Sequence, residues 1–332
     1  MKKYKIFFLT TILLTAILTS FLFIIGDYCI KNVDGLYYKQ DELAIFVWLR
    51  KKEKISAKLN KGENTIVLIA GSSVLFGTNS YIIENITGKN IINLGTHAGL
   101  TDYLFIWAPR NLKKGNTVVI PAEFGTCIEY NSLSDLKANY VIANDKDAYR
   151  SFDFMTKLKY INYFLTNMPK SFSVKKKNEQ IEKLENRIPQ NKWDKMYDHK
   201  YWNAKGDVIV HNAQKTEDIN KIENFYFKKY KKLKLSKNFI NFVKWCKDND
   251  IEVYVTYPMI FPYKDRGSQE AKEYYENYKN LFIDNNINFI GKAEDSFMEK
   301  EDFLDGESHL NKNGADKRSV YLGNLINKYI LN

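Results

Sequence analysis

The run Thr65-Ile66-Val67-Leu68-Ile69-Ala70 limits the possible folds of this 332-residue chain more than any other segment. It is short, apolar without interruption and rich in β-branched side chains. A strand of this kind lacks the polar alternation of a half-exposed one and must be covered on both faces. Asn90-Ile91-Ile92-Asn93-Leu94 and Asn116-Thr117-Val118-Val119-Ile120 repeat the signature, with short helical candidates between them at 81–86 and 102–111. The rhythm returns late in the chain. Ser236 caps a helix in which Phe239, Phe242, Val243 and Cys246 recur at helical spacing, and a strand over 251–257 stops at Pro258. A helix over 269–285, a strand over 287–290 and a terminal helix over 315–330 complete it. Three α/β units, an interruption and two more units predict an α/β fold of three layers, with a mostly parallel central sheet and helices on both faces.

The interruption, about 130–235, is too long for a structureless loop in a compact domain. Its helical stretches at 152–164 and 219–234, and a Trp-, Tyr- and Asn-rich loop at 191–207, predict an inserted cap region.

The N-terminus sets the location. Lys2, Lys3 and Lys5 precede Ile6 to Gly26, a stretch without charge and close to the ~20 residues that cross a bilayer. It exceeds a signal-peptide core, and Gly26-Asp27-Tyr28-Cys29 lacks a small-x-small cleavage pattern. The expectation is a cytoplasmic tail over 1–5, an anchor over 6–26, a juxtamembrane helical segment over 27–62 and a domain over 63–332 outside the cytoplasm, in a bacterial cytoplasmic membrane. A net charge of +11 favours anionic partners, but the lysines are dispersed and no nucleic-acid motif accompanies them, so nucleic acid is not expected as a partner. The three cysteines, Cys29, Cys127 and Cys246, form no metal-ligand spacing and no disulfide framework. Cys127 and Cys246 read as small buried hydrophobes.

The chemistry is read from the carboxyl ends of the strands, where open α/β sheets collect active groups. Ser73 follows the first strand within Gly71-Ser72-Ser73-Val74-Leu75-Phe76-Gly77. Alone it reads as a helix cap. Asp305-Gly306-Glu307-Ser308-His309 supplies a base and a carboxylate in a chain of only four histidines. Together they give a nucleophile, Ser73, activated by His309, which Asp305 orients. Asn93-Leu94-Gly95-Thr96-His97-Ala98-Gly99 follows the second strand. Its backbone N–H groups, at Gly95, Ala98 and Gly99, are candidate oxyanion donors. His199 and His211 have no convergent ligand spacing, so neither a metal nor another cofactor is expected.

With these residues assembled, the chain resembles the SGNH, or GDSL-like, hydrolase superfamily. Gly71-Ser72-Ser73 is similar to its first block, with Ser72 in place of the usual Asp. The Asn93–Gly99 segment is similar to the second block, and Asp305 and His309 to the last. The wide Asp305–His309 spacing followed by Leu310-Asn311 and Gly314 resembles membrane-anchored bacterial branches related to the D-alanyl-transfer protein DltD and the alginate O-acetylation proteins. Asn203 with Gly206-Asp207, and Tyr257-Pro258, resemble patterns of those branches and imply pocket-lining roles for Asn203 and Tyr257. The third block departs: Pro121-Ala122-Glu123-Phe124-Gly125 stands where the family has Gly-x-Asn-Asp. Either Asn93, Asn203 or a backbone group supplies the remaining donor, or the site is weakened.

The resemblance implies a serine acyltransferase or esterase that adds or removes acetyl groups on a cell-envelope polysaccharide, with an integral membrane protein as a possible acyl donor. The alternatives are D-alanyl transfer to an envelope polymer and a non-catalytic envelope scaffold or polymer-binding protein that retains the fold.

Overall fold

The uncharged N-terminal run is helical. In the computed structural model, which describes residues 2–129, 133–209, 219, 222 and 233–332, helix α1 spans Lys2–Asn32. Its 31 residues at ~1.5 Å each give about 46 Å, beyond the ~30 Å of a hydrocarbon core. Its side chains from Ile6 to Leu22 are largely exposed, an apolar surface of the kind lipid covers. The helix runs six residues past Gly26, because Asp27 and Lys31 pair one turn apart along it.

The chain forms two compact units, Met1–Val47 with Leu133–Arg187 and Trp48–Ser132 with Ile188–Asn332. The stretch read from sequence as one insertion is therefore shared between them. In the first unit, helices Asp135–Asn144, Lys146–Ser151, Phe154–Thr166 and Val174–Glu185 begin after Ser134, Asp145, Asp153 and Ser173. Each of these side chains accepts a first-turn N–H that has no partner within its helix. A two-residue antiparallel ladder joins Leu36–Tyr37 to Ser171–Phe172. The helix expected over 219–234 lies, apart from Ile219, Ile222 and residues 233–234, outside the described residues.

The second unit holds the sheet. Its strands are β1 (Thr65–Leu68), β2 (Asn90–Asn93), β3 (Thr117–Pro121), β4 (Glu252–Thr256) and β5 (Asn288–Ile290). They lie in the order β2-β1-β3-β4-β5, and every pairing is parallel. All four residues of β1 are buried, as an apolar run without alternation requires. On one face Ile66, Leu68, Ile91 and Val119 pack against Ile83 of helix Ser80–Thr87 and against Leu322 and Ile326 of helix Lys312–Ile326. Aromatic groups build a second cluster: Phe239 and Phe242 of helix Lys237–Asp248 meet Phe105, while Tyr278 and Phe282 of helix Gln269–Ile283 meet Phe289 on β5. Each fully buried ring contributes about 2–3 kcal/mol by leaving water.

Strand order reverses at β1, which has β2 on one side and β3 on the other. Ligand crevices of open sheets form at such a reversal, outside the carboxyl ends of the strands. Ser73 follows β1 and Glu123 follows β3, so this reversal is where the candidate site is built.

Candidate active site

The chain leaves β1 through Gly71 and enters the short helix Ser72–Gly77. Gly71 is required by crowding. A β-carbon there would overlap the Glu123 carboxylate and lie 2.8 Å from the Ala98 Cα. Ser73 is 4% exposed. Its N–H donates to Glu123 Oε1 at 2.8 Å, and its Oγ is buried with no hydrogen-bond partner among the described residues.

The acid–base pair comes from a short antiparallel hairpin, Phe303–Gly306 with His309–Leu310, rather than from a helix turn or an open loop. Pairing of Gly306 with His309 turns Asp305 back onto the imidazole, and Asp305 Oδ1 lies 2.7 Å from His309 Nδ1. With a carboxylate as its partner Nδ1 carries the proton, which leaves Nε2 as the basic nitrogen. The second oxygen, Asp305 Oδ2, accepts from the Tyr197 hydroxyl at 2.7 Å. Burial opposes the charge on Asp305, but the hydrogen bond and charge of His309, with the Tyr197 hydrogen bond, outweigh it and hold the carboxyl below its ordinary pKa. The imidazole lies 4.4 Å from the Phe76 ring, centroid to centroid, and Phe76 is 5.2 Å from Tyr197. Phe76 belongs to the same six-residue helix as Ser73, so the base stands against the element that carries the hydroxyl. Ser73 Oγ and His309 are not hydrogen-bonded to each other.

The candidate oxyanion donors divide. Gly95 donates its N–H to Asn93 Oδ1 at 2.7 Å, and a β-carbon there would lie 2.5 Å from the Leu75 nitrogen. It permits a close crossing and has no N–H to offer a ligand. Gly99 donates to His97 Nδ1 at 2.9 Å. Ala98 is half-exposed beside Gly71, and its N–H makes none of the hydrogen bonds that hold this loop.

Asn93 and Asn203 belong to a different structure. Asn93 Nδ2 reaches Val74 O, Thr78 Oγ1 and Asp207 Oδ1, at 2.8–3.0 Å. Asn203 Nδ2 donates to Asp207 Oδ2, and its Oδ1 accepts from the Lys205 and Asp207 N–H groups. Asp207 also takes the N–H and hydroxyl of Ser80. Lys52, wholly buried, completes the cluster: its Nζ donates to Asn93 O at 2.8 Å and Gly206 O at 2.7 Å and lies 4.6 Å from the Trp202 ring centre. Burial pushes the Lys52 ammonium down to about 7, against the upward pull of Asp207. Both amides brace the loop after β2: the Asn93 hydrogens are fully committed, while Asn203 spends one of its two amide hydrogens on Asp207. Tyr257 is 1% exposed, donates its hydroxyl to Tyr275 O at 2.8 Å and packs among Tyr275, Tyr278 and Phe289, so it belongs to the core.

Three participants are invisible as motifs. Glu123 was legible only as the residue in place of a missing Asn, Tyr197 is separated from Asp305 by more than a hundred residues, and Lys52 sits in a run of surface-like lysines. Only the acidic residue just past the carboxyl end of β3 carried a usable signal. His211 lies outside the described residues.

Fold and geometry together define a mixed α/β protein with one apolar N-terminal helix and a five-stranded parallel sheet. At the strand reversal stand a buried serine, a nearby His–Asp pair and a carboxylate that holds the serine's N–H. No family model, curated protein or solved structure matches the chain.

Proposed function

We propose that this chain is a membrane-anchored serine acyltransferase or esterase of SGNH type, with its catalytic domain outside the cytoplasm, that adds or removes acetyl groups on a cell-envelope polysaccharide. The observation that carries the reading is the 2.7 Å Asp305–His309 hydrogen bond, set against Phe76 on the helix whose first turn bears the unpartnered Ser73 hydroxyl. His309 Nε2 takes the Ser73 proton as Oγ bonds to the acyl carbon, and the carbonyl electron pair moves to oxygen. Collapse expels the donor alcohol, which takes the proton from His309 and leaves an acyl-serine. A polysaccharide hydroxyl or water then repeats the steps in reverse. Asp305, ionised at neutral pH, stabilises the imidazolium while it holds the proton. Ala98 N–H and, once free, Ser73 N–H are the oxyanion donors. Anchoring would hold the domain beside an integral membrane acyl donor.

The test is intact-mass analysis of the full chain in detergent after a fluorophosphonate, in which the Ser73 Oγ–P bond forms, P–F breaks and the serine proton passes to His309. One adduct that S73A and H309A abolish supports the reading; an adduct that persists in S73A sinks it. A second reading, a non-catalytic envelope scaffold, is favoured by the missing Ser73–His309 hydrogen bond and by the carboxylate on Ser73 N–H. It predicts no adduct in a well-folded protein.

A further inference from the structure

The acyl-transfer reading leaves one group at the Ser73 turn unexplained, the carboxylate of Glu123. It is held rather than loosely placed. Glu123 O accepts the Thr126 N–H at 2.9 Å, which closes a turn after β3, and the Thr126 hydroxyl donates to Glu123 Oε2 at 3.1 Å. The other oxygen takes the Ser73 N–H at 2.8 Å. Gly71 makes the room, since any side chain there would overlap the carboxylate. No ion pair with a described residue offsets the charge.

A carboxylate only accepts hydrogen bonds. It matches the Ser73 N–H as it stands and repels a second negative oxygen near the same donor. When Ser73 Oγ bonds to an acyl carbon, the carbonyl oxygen gains a negative charge and requires that donor. Resting on the proposed acyl-transfer chemistry, we infer that Glu123 governs the reactivity of the Ser73 site. Its carboxylate holds the Ser73 N–H, and the site is closed to a tetrahedral intermediate until that carboxylate withdraws. The buried Ser73 hydroxyl, without a partner, fits a site at rest with its nucleophile not yet engaged.

The competing explanation is a plain brace for the turn, which needs an acceptor of this size and no charge. Glu123→Gln separates the two, because it keeps an acceptor oxygen and the side-chain volume, removes the charge and adds an amide donor. The experiment measures the rate of fluorophosphonate adduct formation on the full chain in detergent, for wild type, E123Q and E123A, with S73A as blank and thermal melting as the folding control. The inference predicts that E123Q labels at least tenfold faster than wild type, with E123A also faster. Labelling of E123Q less than tenfold faster than wild type, with folding intact, overturns the inference and leaves the Ser73 reading standing. If E123A does not fold, E123Q decides alone. Absence of any Ser73 adduct in all three folded proteins overturns both.

Discussion

Two polar clusters lie a few residues apart around the end of β1, and they are finished differently. Around Asp207, four donors from Ser80, Asn93 and Asn203 meet two carboxylate oxygens, while Lys52 is spent on two carbonyls, the Asn93 amide oxygen and an indole face. Around Ser73, among the described residues, the hydroxyl has no partner, Ala98 N–H is uncommitted and the Glu123 carboxylate has no cation. Leaving buried polar groups unpaired costs about 1–3 kcal/mol each, so a fold tolerates them where something other than stability is served. The closed cluster braces; the open one is where chemistry is to be sought.

The comparison breaks most directly at Ser73 and His309. S73A should abolish fluorophosphonate labelling, and H309A should slow it about 10⁴-fold, roughly 5.5 kcal/mol of barrier. S73A should melt close to wild type, because its hydroxyl completes no hydrogen bond, whereas H309A should melt lower, because it removes the partner of the half-buried Asp305 carboxylate. If S73A lowers the melting point by as much as a variant of the closed cluster, the distinction between the two fails.

What the sequence revealed follows the same division. The sheet was legible because unbroken β-branched runs have few alternatives, and Ser73, Asp305 and His309 were legible because each lies at the end of such a run or beside a turn. Asn93 and Asn203 read as candidate donors, but an amide shows its chemistry and not its partners. Only the fold brings Asp207, 114 residues on, to Asn93 and reveals that the Asn93 hydrogens are committed, while Asn203 gives one hydrogen to the same carboxylate four residues away. Tyr257 reads as a pocket residue from the resemblance of Tyr257-Pro258 to the anchored branches, and its ring lies in the aromatic core instead. The surface-like lysine run hid Lys52, whose position on helix Gln40–Leu59 alone turns it inward.

The closed cluster is the place for the next largest effect. Lys52→Met removes the donor to the buried Asn93 and Gly206 carbonyls, which should cost about 3 kcal/mol, since a buried acceptor left unsatisfied costs ~1–3 kcal/mol. At about 2–4 °C per kcal/mol, melting should fall by roughly 6–12 °C. The same lysine gives the stability a pH slope. The unfolded ammonium keeps its proton to ~10.4, whereas in the fold it releases it near about 7. Between those values the unfolded chain binds more protons, so raising the pH through this window stabilises the protein. K52M should lose that slope, as chemical denaturation at several pH values would reveal. An unchanged slope would mean that the proton comes from elsewhere.

The smallest effect sharpens the open side, at Tyr197. Its hydroxyl donates to Asp305 Oδ2 at 2.7 Å and lies 3.4 Å from His309 Nδ1, not the nitrogen assigned to the Ser73 proton, so it is a positioning residue. Tyr197→Phe keeps the ring against Phe76 and removes one hydrogen bond to a charged group, worth about 1.5–3 kcal/mol and here partly exposed, so labelling at neutral pH should slow by roughly tenfold or less. The pH profile is more diagnostic than the rate. Asp305 is held below its ordinary pKa against the opposing effect of burial, by His309 first and Tyr197 second. Without the phenol, burial is opposed by His309 and a backbone hydrogen bond only, and the carboxyl's pKa rises. The stability that ionised Asp305 contributes is present above its unfolded pKa of ~3.9 and is lost as the pH falls through the folded one, and in Y197F that contribution is smaller and its loss is complete at a higher pH. The acid limb of the labelling profile should move upward with it. A slower rate with an unmoved acid limb would reduce Tyr197 to a packing residue, and would leave the Asp305–His309 pair to hold its own geometry.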